Sequence, residues 1–128
     1  MKIGFSSGCL NKTHDRLSPE TFDIFRNIGC TAIELMWHLP EDISKLEELT
    51  KNDLKGFEYV SIHLPKSIFT DINKTKKLLP QIEKVHKRLD FDSAVLHPDQ
   101  ISDWTFFQTT TLPIAIENMD TRKKTAKM

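Results

Sequence analysis

Tyr59-Val60-Ser61-Ile62-His63-Leu64-Pro65 sets Val60, Ile62 and Leu64 against Tyr59, Ser61 and His63. Side chains alternate across a strand, so the aliphatic three share one face of a sheet and the other three its opposite face. The pattern recurs along the chain. Ile33, Leu35 and Trp37 alternate with Glu34 and Met36, and Ala94 and Leu96 with Ser93, Val95 and His97. Ile3 and Phe5 alternate with Gly4 and Ser6, and Ile114 and Ile116 with Ala115 and Glu117. Five strands are therefore predicted, Lys2 to Ser6, Ala32 to Trp37, Tyr59 to Leu64, Ser93 to His97 and Ile114 to Asn118. A doubly wound parallel sheet is covered by helices on both sides and wants both faces apolar. Here one face is oily, while the other is small or polar and carries ionisable groups near the strand ends. That pattern predicts an α/β fold in which the sheet curls into a partial (β/α) barrel, five parallel strands with helices on the outer face and a polar mouth inside.

The segments between the strands read as helices, giving the order β-α-β-α-β-α-β-α-β. Ser18 is a good N-cap with Pro19 at the first helical position, Phe22, Phe25 and Ile28 recur at helical spacing, and Gly29 closes the helix. A second helix is predicted from Pro40 to Gly56 with Ile43, Leu46, Leu49 and Leu54. A third runs from Asp71 with Ile72, Leu78, Leu79, Ile82, Val85 and Leu89, kinked or split at Pro80. A fourth, short one covers Gln100 to Thr110, with Trp104, Phe106 and Phe107 in the core.

At 128 residues the chain makes one domain, residues 1–128. A complete eight-unit barrel takes about 250 residues, so five strands read as an incomplete barrel whose open edges invite self-association. With 38% hydrophobic and 28% charged residues the chain is globular, and its longest apolar runs are too short for a transmembrane helix. Eighteen basic residues balance eighteen acidic ones, leaving no electrostatic footprint for nucleic acid. Cys9 and Cys30 make neither a disulfide framework nor a CxxC metal pair, and a reducing cytoplasm is the expected compartment.

Three polar-face groups end successive strands: His63, His97 in Val95-Leu96-His97-Pro98-Asp99, and Glu117 in Ile116-Glu117-Asn118-Met119-Asp120. The C-terminal rim of a barrel is where substrates and metals bind, and two imidazoles with a carboxylate are natural ligands of a divalent ion. The competing reading makes each histidine a hydrogen-bonded packing residue and pairs Glu117 with a lysine. Glu34 faces the same way and could bind substrate hydroxyls. Trp37 belongs to the core set, His38 lies at the rim, His14 and His86 read as solvated, and Arg122, Lys123 and Lys124 as a charged surface run.

His63-Leu64-Pro65, Leu96-His97-Pro98-Asp99 and Ile116-Glu117-Asn118-Met119-Asp120 resemble, in order and spacing, the xylose-isomerase-like TIM-barrel superfamily. Lys2-Ile3-Gly4-Phe5-Ser6 and Ala32-Ile33-Glu34-Leu35 are similar to its first two strands. The resemblance implies a metal-dependent sugar or sugar-phosphate isomerase or epimerase, moving a proton between adjacent carbons through an enediolate. Glu117 then matches a metal ligand with a possible share in the proton transfer, and His63 and His97 face substrate or metal. In the apurinic-site endonuclease branch the two histidines bind additional zinc. A third reading is a non-catalytic chain that needs a partner. The family draws its remaining ligands from later strands, so Mn²⁺, Mg²⁺ or Zn²⁺ is expected to bind weakly here and the chain alone to show little activity.

Overall fold

The strands form where the alternation places them, each trimmed at its ends. The computed structural model describes residues 3–101 and 103–117. It places β1 at Gly4–Ser6, β2 at Ala32–Met36, β3 at Tyr59–His63, β4 at Ser93–Leu96 and β5 at Ile114–Ile116. All neighbours pair parallel in the order β1-β2-β3-β4-β5. The predicted ends at Lys2 and Asn118, and the basic run at 122–124, lie outside the described residues. Three α-helices, α1 (Pro19–Asn27), α2 (Ile43–Glu48) and α3 (Ile72–Leu89), connect the first four strands.

The register explains the core. Phe5 aligns with Ile33 and Val60, Leu35 with Ile62, Ala94 and Ile114, and Leu96 with Ile116. Ile33, Leu35, Ile62, Ala94 and Leu96 are at most 2% exposed and join one cluster with Phe22 and Phe25 of α1, Leu46 of α2, and Ile82 and Val85 of α3. Burying each large side chain contributes about 1.5–3 kcal/mol, so the interior strands and helices hold one another. Helix α1 begins as predicted: the Ser18 hydroxyl accepts from the Thr21 amide, Pro19 is the first helical residue, and Gly29 takes a φ of +88° just past the end.

Several expectations fail for identifiable reasons. Ile3, Phe5 and Ile116 belong to the apolar set yet are half exposed, because among the described residues β1 and β5 are the sheet's edges and have a neighbouring strand on one side. Ile28 and Ile72 sit at helix ends and are exposed as well. The second predicted helix breaks into a 3₁₀ turn at Pro40–Asp42, α2, and another 3₁₀ turn at Lys51–Leu54. Leu49 turns extended, and the Asp53 carboxylate accepts from both the Thr50 amide (2.8 Å) and hydroxyl (3.1 Å), which starts a new turn. Pro80 does not split α3. It lies on the exposed side, as does Lys76, whose carbonyl loses its partner to the missing proline N–H and can turn to water.

The fourth predicted helix is also replaced, by 3₁₀ turns at Pro98–Gln100 and Trp104–Phe107. The Asp103 carboxylate accepts from the Thr105 amide (2.9 Å) and starts a separate turn at Trp104. Phe106 and Phe107 pack partly against the core, whereas Trp104 stays 45% exposed.

Candidate metal site at the carboxyl rim of the sheet

The backbone ladder continues past the strand ends and fixes each rim residue. The Trp37 amide donates to the His63 carbonyl (3.2 Å), the Leu64 amide to Val95 (2.9 Å), and the Glu117 amide to Leu96 (2.9 Å). His63, His97 and Glu117 keep the phase of the polar set, and adjacent parallel strands carry them to one place. His97 Nε2 lies 2.9 Å and His63 Nε2 3.3 Å from Glu117 Oε2, and the two Nε2 atoms are 3.1 Å apart. The imidazole side chains are 12% and 15% exposed, and the Glu117 side chain, on the edge strand, 43%.

Those distances suit a cation. Ligand atoms about 2.0–2.1 Å from a tetrahedral ion stand about 3.3 Å from one another, and the three observed separations cluster near that value. The donor set, two borderline nitrogens and one hard oxygen, is the chemistry of Zn²⁺ and comparable divalent ions. The surroundings fit less well. His97 Nδ1 is buried with no hydrogen-bond partner among the described residues. A metal-binding imidazole normally gives its second N–H to an acceptor, and the described residues offer His97 none.

Electrostatics favour the neutral form of His97. Burial pushes its pKa below the ordinary histidine value, aided by the positive charge of Lys66 and by His63, and this outweighs the opposing pull of Glu117 and Asp99. Beside the two histidines opens a cleft of about 480 Å³, with His38, Leu39, Pro65 and Lys66 on its other walls. Its volume falls within the range of small-molecule sites.

The chain matches no family model, no curated protein and no solved structure. What the site can do therefore rests on its own geometry and on the motifs that carry the resemblance.

The remaining sequence candidates separate clearly. Glu34 is not part of the cluster: it pairs in register with Ser6 and Ser61 at mid-strand of β2 and β3, two residues before the level of Met36 and His63, and borders a shallow cavity of about 250 Å³ with Gly4, Ala32 and Tyr59. Trp37 is core at 1% exposure, its indole N–H donating to the Leu39 carbonyl. His86 is not simply solvated, since its ring packs on Phe91 and its Nε2 lies 3.1 Å from the Phe91 carbonyl oxygen. His14 is exposed and bonds to Thr13. Sequence reasoning passed over Lys66, whose one signal was its place directly after the Leu64-Pro65 rim. It also passed over Ser7, wholly buried, whose hydroxyl accepts from the Met36 amide (2.9 Å) and ties the first loop to the end of β2.

Proposed function

We propose that this sheet comprises five consecutive units of a (β/α) barrel of the xylose-isomerase-like kind. Its rim binds a divalent ion, and the completed barrel isomerises or epimerises a small sugar or sugar phosphate. One observation carries this reading: three ligand atoms from three adjacent strands meet at 2.9 to 3.3 Å on the carboxyl side of a parallel sheet. His63, His97 and Glu117 would hold the ion, which when bound supplies Lewis-acid polarisation of a substrate oxygen. The cleft between His38 and Lys66 admits a molecule of sugar size, and its walls exclude water from one side of it. Glu34 borders a separate cavity and is left out of this reading. The burial that favours the neutral imidazole of His97 reduces the competition of protons with an ion there.

A second reading, phosphodiester hydrolysis at abasic sites, is favoured by the convergence of both histidines on the same carboxylate oxygen, since the resemblance makes these the extra zinc ligands of the endonuclease branch. The balanced charge of the chain weighs against a polyanionic substrate.

Calorimetric titration with Zn²⁺ and Mn²⁺ tests the site. One ion per chain is expected, with affinity reduced at least about tenfold in Glu117→Gln and in His97→Ala. Titration curves unchanged by both substitutions would refute the metal site. Aldose–ketose interconversion and cleavage of an abasic oligonucleotide, assayed side by side with the metal-loaded protein, then separate the two reactions.

A further inference from the structure

The cleft beside the two histidines carries a charge bias that the chain as a whole does not. Eighteen basic and eighteen acidic residues balance over the sequence. Yet, among the described residues, every titratable side chain on the walls of this cleft is of the basic kind: His38, His63, Lys66 and His97. The neighbouring cavity, which shares His38 and Leu39 with it, is mixed instead, with Asp15 and Asp42 beside Arg16 and Lys45. There Lys45 is neutralised by both carboxylates, at 3.1 Å and 3.8 Å. Lys66 is not: among the described residues it takes part in no ion pair.

The Lys66 charge nonetheless reaches the histidines. Burial is the main reason that His97 resists protonation, and the Lys66 ammonium adds to it. Glu117 and Asp99 act on His97 in the opposite sense, but neither lines the cleft. A divalent ion on the three-ligand cluster and the Lys66 ammonium would repel each other, so each charge weakens the hold on the other. An anion between them is attracted by both. A cleft lined by charge of one sign concentrates ligands of the opposite sign, so the countercharge that the walls lack is brought by the ligand. Lysine supplies three donors on a compact charge, which suits phosphate or carboxylate oxygens, and the Ser67 hydroxyl beside it on the wall can add a hydrogen bond.

We infer that the cleft selects a small polyol bearing an anionic oxygen group, phosphate or carboxylate, and that Lys66 is the specificity-determining residue that binds this group. The inference deepens the proposed function: it rests on the part that seats the substrate in this cleft and is independent of the metal.

Amide chemical-shift titrations of the metal-free chain with glycerol 3-phosphate, glycerate and glycerol test it. At least one of the two anions should give saturable shifts at Leu64, Lys66 and Ser67 where glycerol at the same concentration gives none. The tighter of the two identifies the preferred group as phosphate or carboxylate. Lys66→Met should weaken anion binding about five- to tenfold, and Lys66→Arg, which keeps the charge, should retain most of it. Lys45→Met, in the neighbouring cavity, should leave it unchanged. Anions that bind no better than glycerol overturn the inference, as does an affinity that Lys66→Met leaves intact. An equal loss in Lys45→Met means a diffuse attraction and overturns it too. Lys66 is exposed, so its replacement leaves the core untouched; should the variant still fail to fold, the comparison of anions with glycerol on the wild type decides. Zn²⁺ titrated separately keeps the two claims apart. Where Zn²⁺ binds, it should tighten the preferred anion and be tightened by it to the same factor, and an absence of coupling overturns the juxtaposition of anion and ion. Anion binding without zinc binding removes the metal site and leaves the role of Lys66 standing. Zinc binding without anion binding does the reverse.

Discussion

Phe5 and Ile33 sit opposite one another in the sheet register, yet one is 54% exposed and the other 2%. The same contrast separates Ile116 from Leu96. Residue type and strand phase are alike within each pair, and only the number of flanking elements differs. Among the described residues, strands β2 to β4 have neighbours on both sides and helices over one face, whereas β1 and β5 have one neighbour each. Burial in this sheet is therefore a property of position, and the alternation in the chain reports only which face a side chain occupies. The candidate site straddles the divide. Two candidate ligands follow well-enclosed interior strands, and the third, Glu117, follows an edge strand and keeps 43% of its side chain in solvent. The imidazoles are held in place, and the carboxylate is the accessible arm.

Cavity-forming substitutions break or sharpen that comparison most strongly. Ile62→Ala, at a fully buried interior position, should cost about 2–5 kcal/mol of stability. Ile116→Ala on the edge should cost under about 1 kcal/mol in monomeric protein. Urea unfolding of both variants measures the difference, and equal costs would mean the edges are already covered.

The next effect comes from the backbone of the edge strand itself. Gly4 lies so close to β2 that an added Cβ would sit 2.1 Å from the Ala32 carbonyl oxygen. Gly4→Ala should push β1 off β2 at a cost of about 1–3 kcal/mol. Hydrogen exchange should show the loss confined to β1 and its loop, with β3 and β4 unchanged.

A smaller, pH-dependent effect belongs to His97. Its folded pKa lies below that of the unfolded chain, so between the two the unfolded state binds more protons. Stability should be full above the ordinary histidine pKa of about 6.5 and decline as pH falls from there through the depressed folded value. His97→Asn should flatten that part of the stability–pH curve. An unaltered slope in the variant would locate the titrating group elsewhere.

The smallest effect is on the surface. Lys45 Nζ lies 3.1 Å from the Asp15 carboxylate, which the Leu17 amide and Lys45 together hold below the usual carboxylate range against an opposing effect of burial. Both side chains are more than 40% exposed. Lys45→Met should therefore cost no more than about 1 kcal/mol, and that only at low salt. Thermal melts at low and high ionic strength give the comparison.

Much of this was legible in the chain because it is written in local periods. The two-residue alternation located five strands to within a residue or two, and Ser18-Pro19 and Gly29 marked the limits of α1. His63, His97 and Glu117 could be grouped because each shares the phase of its strand's polar set and stands at its end. The failures fall where distance along the chain and distance in space part company. Nothing near Pro80 announces that it will face water and be tolerated. Leu49 gives no sign that the second helix must stop for the Thr50–Asp53 turn.

By itself the sequence determined the faces: which side chains point to the helices, which to the polar side, and that three ligand types end three consecutive strands. These follow from backbone geometry alone, since side-chain direction in a strand repeats every two residues. Only the tertiary structure decided neighbours. It made β1 and β5 edges, left Phe5 and Ile116 in solvent, set the three ligand atoms 2.9 to 3.3 Å apart, placed Lys66 near His97, and gave His97 Nδ1 no acceptor. Those outcomes depend on contacts between residues 20 to 54 positions apart in the chain, and no local period encodes them.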